Sequence, residues 1–426
     1  MALLLDKRGQ ATDTARMEQR TTYLGELRAN WQLLLAASLG TGVGLQLFAY
    51  IAGVFGPYIT KEFNWSNALF ALVGLAMLST LFVLPVAGWL TDRFGMRKMA
   101  LAGVLMSPLP LLAYSFMQGP FWQYLACSVA QLAIGSFTGP ITWNRLIAVR
   151  FDKARGLALT IVMCTPALLG AIAAPTVTAI NEAFGWRTGY RCLAVFVLVV
   201  GLAALAMIPR DKAEDATLRK REKGAIARTF GEIRHNRAFW VILIAIVLIA
   251  LPTPLHGSQM VLLIRAQNLT PQAAAFMVSI FALGTMVGRI GSGLAFDRFN
   301  ARAVAVISMM LPTFGLLLLA SDIDTAVAVG VGLFLLGATV GAEGDLISFL
   351  VSRYFRLEIF STTLSLVYCG VFLGSAGGAL VASRMLKAYD SDYAPFLLLC
   401  SVVVLAGSLL FLLLPSRGAD PKGERP

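Results

Sequence analysis

Two apolar runs, residues 68–87 and 99–117, flank a short charged turn that reads Gly88-Trp-Leu-Thr-Asp-Arg-Phe-Gly-Met-Arg-Lys98. At about 1.5 Å of rise per helical residue, each run is long enough to cross a hydrocarbon core of roughly 30 Å. The turn between them is therefore a membrane-surface loop. Far downstream the same device returns: Gly293, Asp297, Arg298, Phe299 and Arg302 stand at the relative positions of Gly88, Asp92, Arg93, Phe94 and Arg97. Two copies of one surface turn in an apolar chain imply two similar halves.

The class follows from how little charge the 426 residues carry. Only 14% are charged and 58% are hydrophobic, whereas soluble domains hold near a quarter charged residues. The formal charge of +12 would suit a nucleic-acid binder, but membrane topology accounts for it better. With the N-terminus in the cytosol, Lys61, Arg187, Arg191, Arg265, Arg384 and Lys387 fall in outer loops, and Arg145 and Arg289 lie inside helices. Every other Lys and Arg is cytoplasmic. This predicts a multi-pass protein of the inner (cytoplasmic) membrane with both termini cytoplasmic, in contact with lipid and not with nucleic acid. The opening Met-Ala-Leu-Leu-Leu-Asp lacks the apolar stretch of a secretory signal. All 5 cysteines fall in apolar runs without a repeated short spacing, which predicts packing residues, no disulfide framework, no metal site and no cofactor.

Taken in order, a polar tail of residues 1–29 precedes spans near 31–58, 66–90, 98–117, 121–150, 156–182 and 188–208, the first bundle being 30–208. A basic stretch, 209–237, falls at the midpoint and reads as a cytoplasmic linker. Spans near 238–264, 272–296, 303–320, 325–354, 359–387 and 393–414 make the second bundle, 238–414, and 415–426 is a cytoplasmic tail. Glycines crowd the first span, where small residues let helices approach closely. Pro252 and Pro254 break the seventh span, and freed backbone groups are tolerated where they line a cavity.

The spacing Gly-x-x-x-Asp-Arg-x-Gly-x-Arg-Lys at 88–98 resembles the signature loop between the second and third helices of the major facilitator superfamily. The downstream copy sits where that family has its eighth-to-ninth-helix loop. The resemblance covers the whole chain in length, helix count and repeat. It implies an all-α integral membrane fold: twelve transmembrane helices in two six-helix bundles with pseudo-two-fold symmetry. It also implies a secondary active transporter that alternates access to a midplane site. In such proteins the loop aspartate and arginines latch the cytoplasmic helix ends, so Gly88, Asp92, Arg93 and Arg97, with Asp297 and Arg298 of the copy, are candidate gating residues. Arg145 joins them, as a partner of Asp92 or as a side chain snorkelling to the headgroups. The alternative is that these charges only set topology. The loop at 150–156, the small, Gly-rich helix after it and the closure Gly185-Trp186-Arg187 resemble the monocarboxylate and oxalate:formate branch.

A charge inside a span costs at least ~2.5 kcal/mol at the centre, so each is a functional candidate with a partner. Arg289 lies cytoplasmic of the middle of span eight, and Glu343 and Asp345 lie at a matching depth in span ten, so an ion pair between Arg289 and one of them is expected. The branch it resembles has a substrate-binding arginine eight residues before the loop aspartate, where this chain has Arg289 before Asp297. The aspartate that its animal members often carry one turn earlier is Thr285 here, and the first-span lysine has no counterpart. Lys387 is at the outer end of span eleven. Two cations at one site are not evident, which argues for a monoanion over a dianion.

A guanidinium grips a carboxylate through two parallel hydrogen bonds, and a neighbouring acid competes with that anion until it is protonated. Glu343 and Asp345 are the candidate proton-coupling groups, Glu343 first. The alternative is an ion pair that fixes the packing of the two spans. His256, just past the proline break, is a candidate for proton relay or substrate contact. Gln46, Tyr50, Gln131, Asn144, Gln259 and Tyr368 are candidates to point polar groups into the cavity, or else to bridge helices.

The leading expectation is a proton-coupled symporter of a small organic monocarboxylate, acting as a monomer. The alternative is a proton-driven exporter of amphipathic compounds or a permease for a larger acid, such as an aromatic acid or siderophore. An intramembrane enzyme would need a nucleophile with its base, or a metal set, and the sequence offers neither. A phosphate-binding Gly-x-x-x-x-Gly-Lys-Ser/Thr loop is also lacking.

Overall fold

Short polar caps turn the apolar runs into separate helices. Ser66 accepts a hydrogen bond from the Leu69 N–H, Thr270 from Ala273, Asn300 from Arg302, Thr325 from Ala328 and Asn236 from Ala238. Each side chain satisfies one of the donors that a helix start leaves unpaired. Between spans five and six the whole connection is Gly185, whose φ of 82° lets Phe184 end one helix and Trp186 begin the next. The computed structural model describes residues 23–94, 96–139, 143, 146–147, 150–151, 154–208, 233–267, 269–321, 323, 325–355 and 359–415.

The chain makes twelve crossings in two six-helix bundles. Seven of them are single helices, beginning with Arg155–Phe184, Trp186–Ala206, Pro271–Arg298, Ala301–Leu319 and Ala326–Tyr354 as spans five, six, eight, nine and ten. Phe360–Ala388 and Ala394–Leu410 are spans eleven and twelve. The others are interrupted. Span one is Trp31–Gly42 and Leu45–Glu62, and span two passes through a 3-10 stretch, Leu72–Ser79, between Asn67–Ala71 and Thr80–Phe94. Span three is Met96–Met106 and Pro108–Ser115. The described part of span four is Phe121–Gly135 and Ser136–Thr138, with Trp143, Leu146, Ile147 and Arg150 also helical. Span seven is in three pieces, Arg237–Ile249, Thr253–His256 and Met260–Ala266, as expected from prolines that cannot donate to the helix ladder. Among the described residues, ten stretches are long and apolar enough to cross a bilayer by themselves, and Arg237–Ile249 of span seven is a shorter apolar helix.

Call the end that carries the loop after Phe94 and the last residue of span twelve the near face, and the opposite end the far face. A single apolar core occupies the far-face half of both bundles, running from Leu47, Val54 and Phe55 through Tyr114 and Tyr190 to Leu255, Phe281, Leu333 and Phe396. The near-face halves have separate cores. One gathers Leu33, Trp143, Phe151 and Val162, and the other gathers Phe239, Ile246, Met309 and Leu350. The bundles thus share a core at one end only. The midpoint linker, residues 209–237, and both tails fall mostly outside the described residues.

Candidate functional site

The site begins with two pairs of glycines. Gly284 and Gly288 on span eight face Gly337 and Gly341 on span ten, four residues apart on each helix. A Cβ at any of them would run into a carbonyl oxygen of the other span: Phe334 and Ala338 from one side, Phe281 and Thr285 from the other. Such a crossing is the close approach that small residues permit in membranes. It sets the two backbones in contact beside Arg289, which follows Gly288, and Asp345 lies one turn beyond Gly341.

The guanidinium Nη1 of Arg289 is consequently 3.5 Å from Asp345 Oδ1, with the arginine side chain 17% exposed and the aspartate 39%. That is a loose ion pair, longer than a charge-assisted hydrogen bond of about 2.7–2.9 Å. Arg289 Nε and Glu343 Oε1 are both buried without a hydrogen-bond partner among the described residues. Buried polar atoms are almost always satisfied, so unmet ones at a charged group mark a place where a ligand or water belongs.

Other helices complete the surroundings. Tyr368 of span eleven lies close to Ser348 and within electrostatic reach of Glu343, Arg289 and Asp345. From the first bundle, Tyr50 of span one lies close to Thr285 and within reach of Arg289, and its ring is 6.1 Å from Phe281. Cys164 of span five is also within electrostatic reach of Arg289 and Asp345. His256 stacks on Phe281 with ring centroids 5.5 Å apart. Helical side chains lean toward the N-terminal end of their helix, so the Arg289 side chain leans toward Thr285 and Phe281.

Of the residues singled out in the sequence, Arg289, Asp345, Glu343, Tyr368 and Tyr50 come together, and His256 stands one ring away. Gln259 does not join them: it is fully buried, and its Oε1 accepts from the Tyr393 hydroxyl at 2.7 Å. Gln131 is buried inside the first bundle beside Gly44, Ser107 and Thr138. Gln46 is half-buried on span one. Asn144 and Arg145 lie outside the described residues. On the near-face loops, Arg93 stands 5.5 Å from the ring of Phe94, Arg97 is half-buried and Arg298 is exposed. Gly88 lies within helix Thr80–Phe94, and the side chains of Asp92 and Asp297 lie outside what is described. Cys164, Thr285 and Phe281 are site residues that the sequence reading passed over. Phe281 and Thr285 carry a readable signal, since they repeat at four-residue spacing before Arg289; Cys164 carries none.

Two apolar helical bundles that share a core at one face are the architecture of a membrane carrier. The chain belongs to the Major Facilitator Superfamily, which matches residues 33–356 and 255–426, and it is a transporter of that family. It is similar to monocarboxylate transporter 13 of Bos taurus, at 25% identity over 358 residues, 81% of this chain and 79% of that one. It is 33% identical to the 4-hydroxybenzoate transporter PcaK of Pseudomonas putida, but over 153 residues, 34% of each chain. The crystal structure of the nucleoside transporter NupG shares the fold, with a TM-score of 0.71 at 15% identity over 90% of this chain and 98% of that one.

Proposed function

We propose that this transporter carries an organic monocarboxylate across the cytoplasmic membrane by proton symport, with the near face cytoplasmic and the bundles 30–208 and 238–414 rocking about the central site. The observation that carries the reading is Arg289, enclosed at mid-depth, tied to one loose carboxylate and holding a buried Nε without a partner. A guanidinium in a dry cavity binds a carboxylate through a two-bond fork. Asp345 occupies part of that fork. Protonating the acids beside Arg289 removes the competing charge, so a proton and an anion enter together as a neutral pair, and neither crosses without the other. In this scheme Asp92, Arg93, Arg97, Asp297 and Arg298 latch the near face once it closes.

A second reading, a larger aromatic acid, has one observation in its favour. The rings of Tyr50, Phe281 and His256 cluster above Arg289, where a planar substrate would extend from the guanidinium. The name of the relative PcaK points the same way. The test common to both readings is counterflow of labelled benzoate and lactate in proteoliposomes. Arg289→Gln abolishes it while leaving the protein folded; full exchange by that variant rules out the role of Arg289.

A further inference from the structure

Arg289 shares one property with a second arginine. Among the described residues, only these two have a buried guanidinium nitrogen without a hydrogen-bond partner, and the other is Arg265 Nε at the far-face end of span seven. Of the other far-face arginines, Arg384 is exposed, whereas Arg187 and Arg191 are occupied. Arg187 pairs with Glu62 at 2.5 Å and donates to the Met117 carbonyl, and Arg191 bonds Ser115. Arg265 instead rests over the ring of Tyr58 of span one, 5.1 Å from its centroid, in contact with the opposite bundle. Glu182 is within electrostatic reach of Tyr58, but its carboxylate accepts from Gln272.

Below Arg265 the same broken span carries two more buried donors without partners. They are Ser258 Oγ and Gln259 Nε2, the latter left over because Gln259 Oε1 is taken by Tyr393. His256 follows, stacked on Phe281, and then Arg289. The route along span seven is thus set with donors and closed in this state by span one, where a Cβ on Gly53 would lie 2.7 Å from the carbonyl of Gly257.

We propose that Arg265, with Ser258 and Gln259 beneath it, is an outer anion site that captures the substrate carboxylate at the far face and passes it inward to Arg289. With the far face shut, the Tyr58 ring holds the unpaired charge. Parting of spans one and seven lifts the guanidinium off that ring and gives it to the anion. A cation in a low-dielectric mouth raises the local anion concentration and speeds encounter. The proposal rests on the carboxylate reading of the central site.

The test uses uptake of labelled acetate, lactate and benzoate by proteoliposomes that hold the protein in one known orientation, with substrate added at either face. Arg265→Gln raises the far-face KM by about tenfold, the loss expected when a charged hydrogen bond is removed, and leaves the near-face KM unchanged. Arg265→Lys recovers most of the difference. Unchanged kinetics at both faces, or an equal rise at both, overturns the outer site while loss of transport in Arg289→Gln upholds the central one. Saturable transport that survives Arg289→Gln overturns the central reading, and wild-type protein that moves none of the three anions overturns both.

Discussion

A guanidinium at membrane depth needs either a counter-charge or a ligand, and Arg289 has half of the first. Asp345 stands at 3.5 Å, close enough to steady the charge and too far to satisfy it. Glu343 is two residues away on the same helix, buried with Oε1 unpaired, so the two acids have separable tasks. Asp345→Asn is expected to lower the KM for monocarboxylate exchange, because the competitor for the fork is gone, by about tenfold if one ion pair of ~1.4 kcal/mol is involved. Glu343→Gln is expected to leave exchange intact and to lose accumulation driven by an imposed pH gradient. Accumulation by Glu343→Gln at the wild-type level would make that acid structural. The sequence exposed Arg289 because a charge in an apolar run is conspicuous. It did not say which acid meets it, since positions two apart on a helix point roughly 200° apart. The deciding signal is the spacing Gly337, Gly341, Asp345, which puts the aspartate on the face that meets span eight.

Spans eight and ten owe their position to that glycine face, and the substrate site owes its shape to theirs. Gly341→Leu drives a side chain into the Thr285 carbonyl and the Arg289 backbone, so it is expected to cost roughly 1–3 kcal/mol of stability, as overpacking does. It also pulls Asp345 off Arg289. A fall in the melting temperature together with lost transport checks both effects. Gly291→Ala, two residues from Arg289 on the same helix, meets nothing within 4 Å and is expected to leave melting and transport close to wild type. Equal damage from the two substitutions would mean that the crossing is not what holds the site. Helix order and the break at Pro252 and Pro254 were legible because hydropathy and proline act locally. The interruption of span one at Val43 and Gly44 was not. Its glycines read as packing residues, and whether they also end a helix depends on a neighbour in space: a Cβ on Gly40 meets the ring of Trp143 and one on Gly44 the carbonyl of Thr138.

At the scale of the molecule, one shared core at the far face and two separate cores at the near face describe a carrier closed at the far face and parted at the near face. The seal is made by small contacts between bundles. Gly53 lies against Gly257, a Cβ on Gly74 would come 2.6 Å from the Ala379 Cβ, and Ser279 Oγ donates to the Ala171 carbonyl at 2.5 Å. Each of these exchanges protein contact for water or lipid contact when the far face opens, so the balance between states is a small difference that a single wedge can tip. Gly53→Leu places a branched side chain where the Gly257 carbonyl leaves no room even for a Cβ. It is expected to shift the population toward the state open at the far face. Cys164 beside Arg289 reports the shift, in protein whose other cysteines are replaced. A membrane-impermeant thiol reagent added at the near face labels Cys164 in that background, and with Gly53→Leu added, labelling from the far face rises while labelling from the near face falls. If sidedness stays the same in a folded Gly53→Leu protein, the contact between spans one and seven is not the seal, and the far-face closure must be carried by spans two and eleven at Gly74 and Ala379.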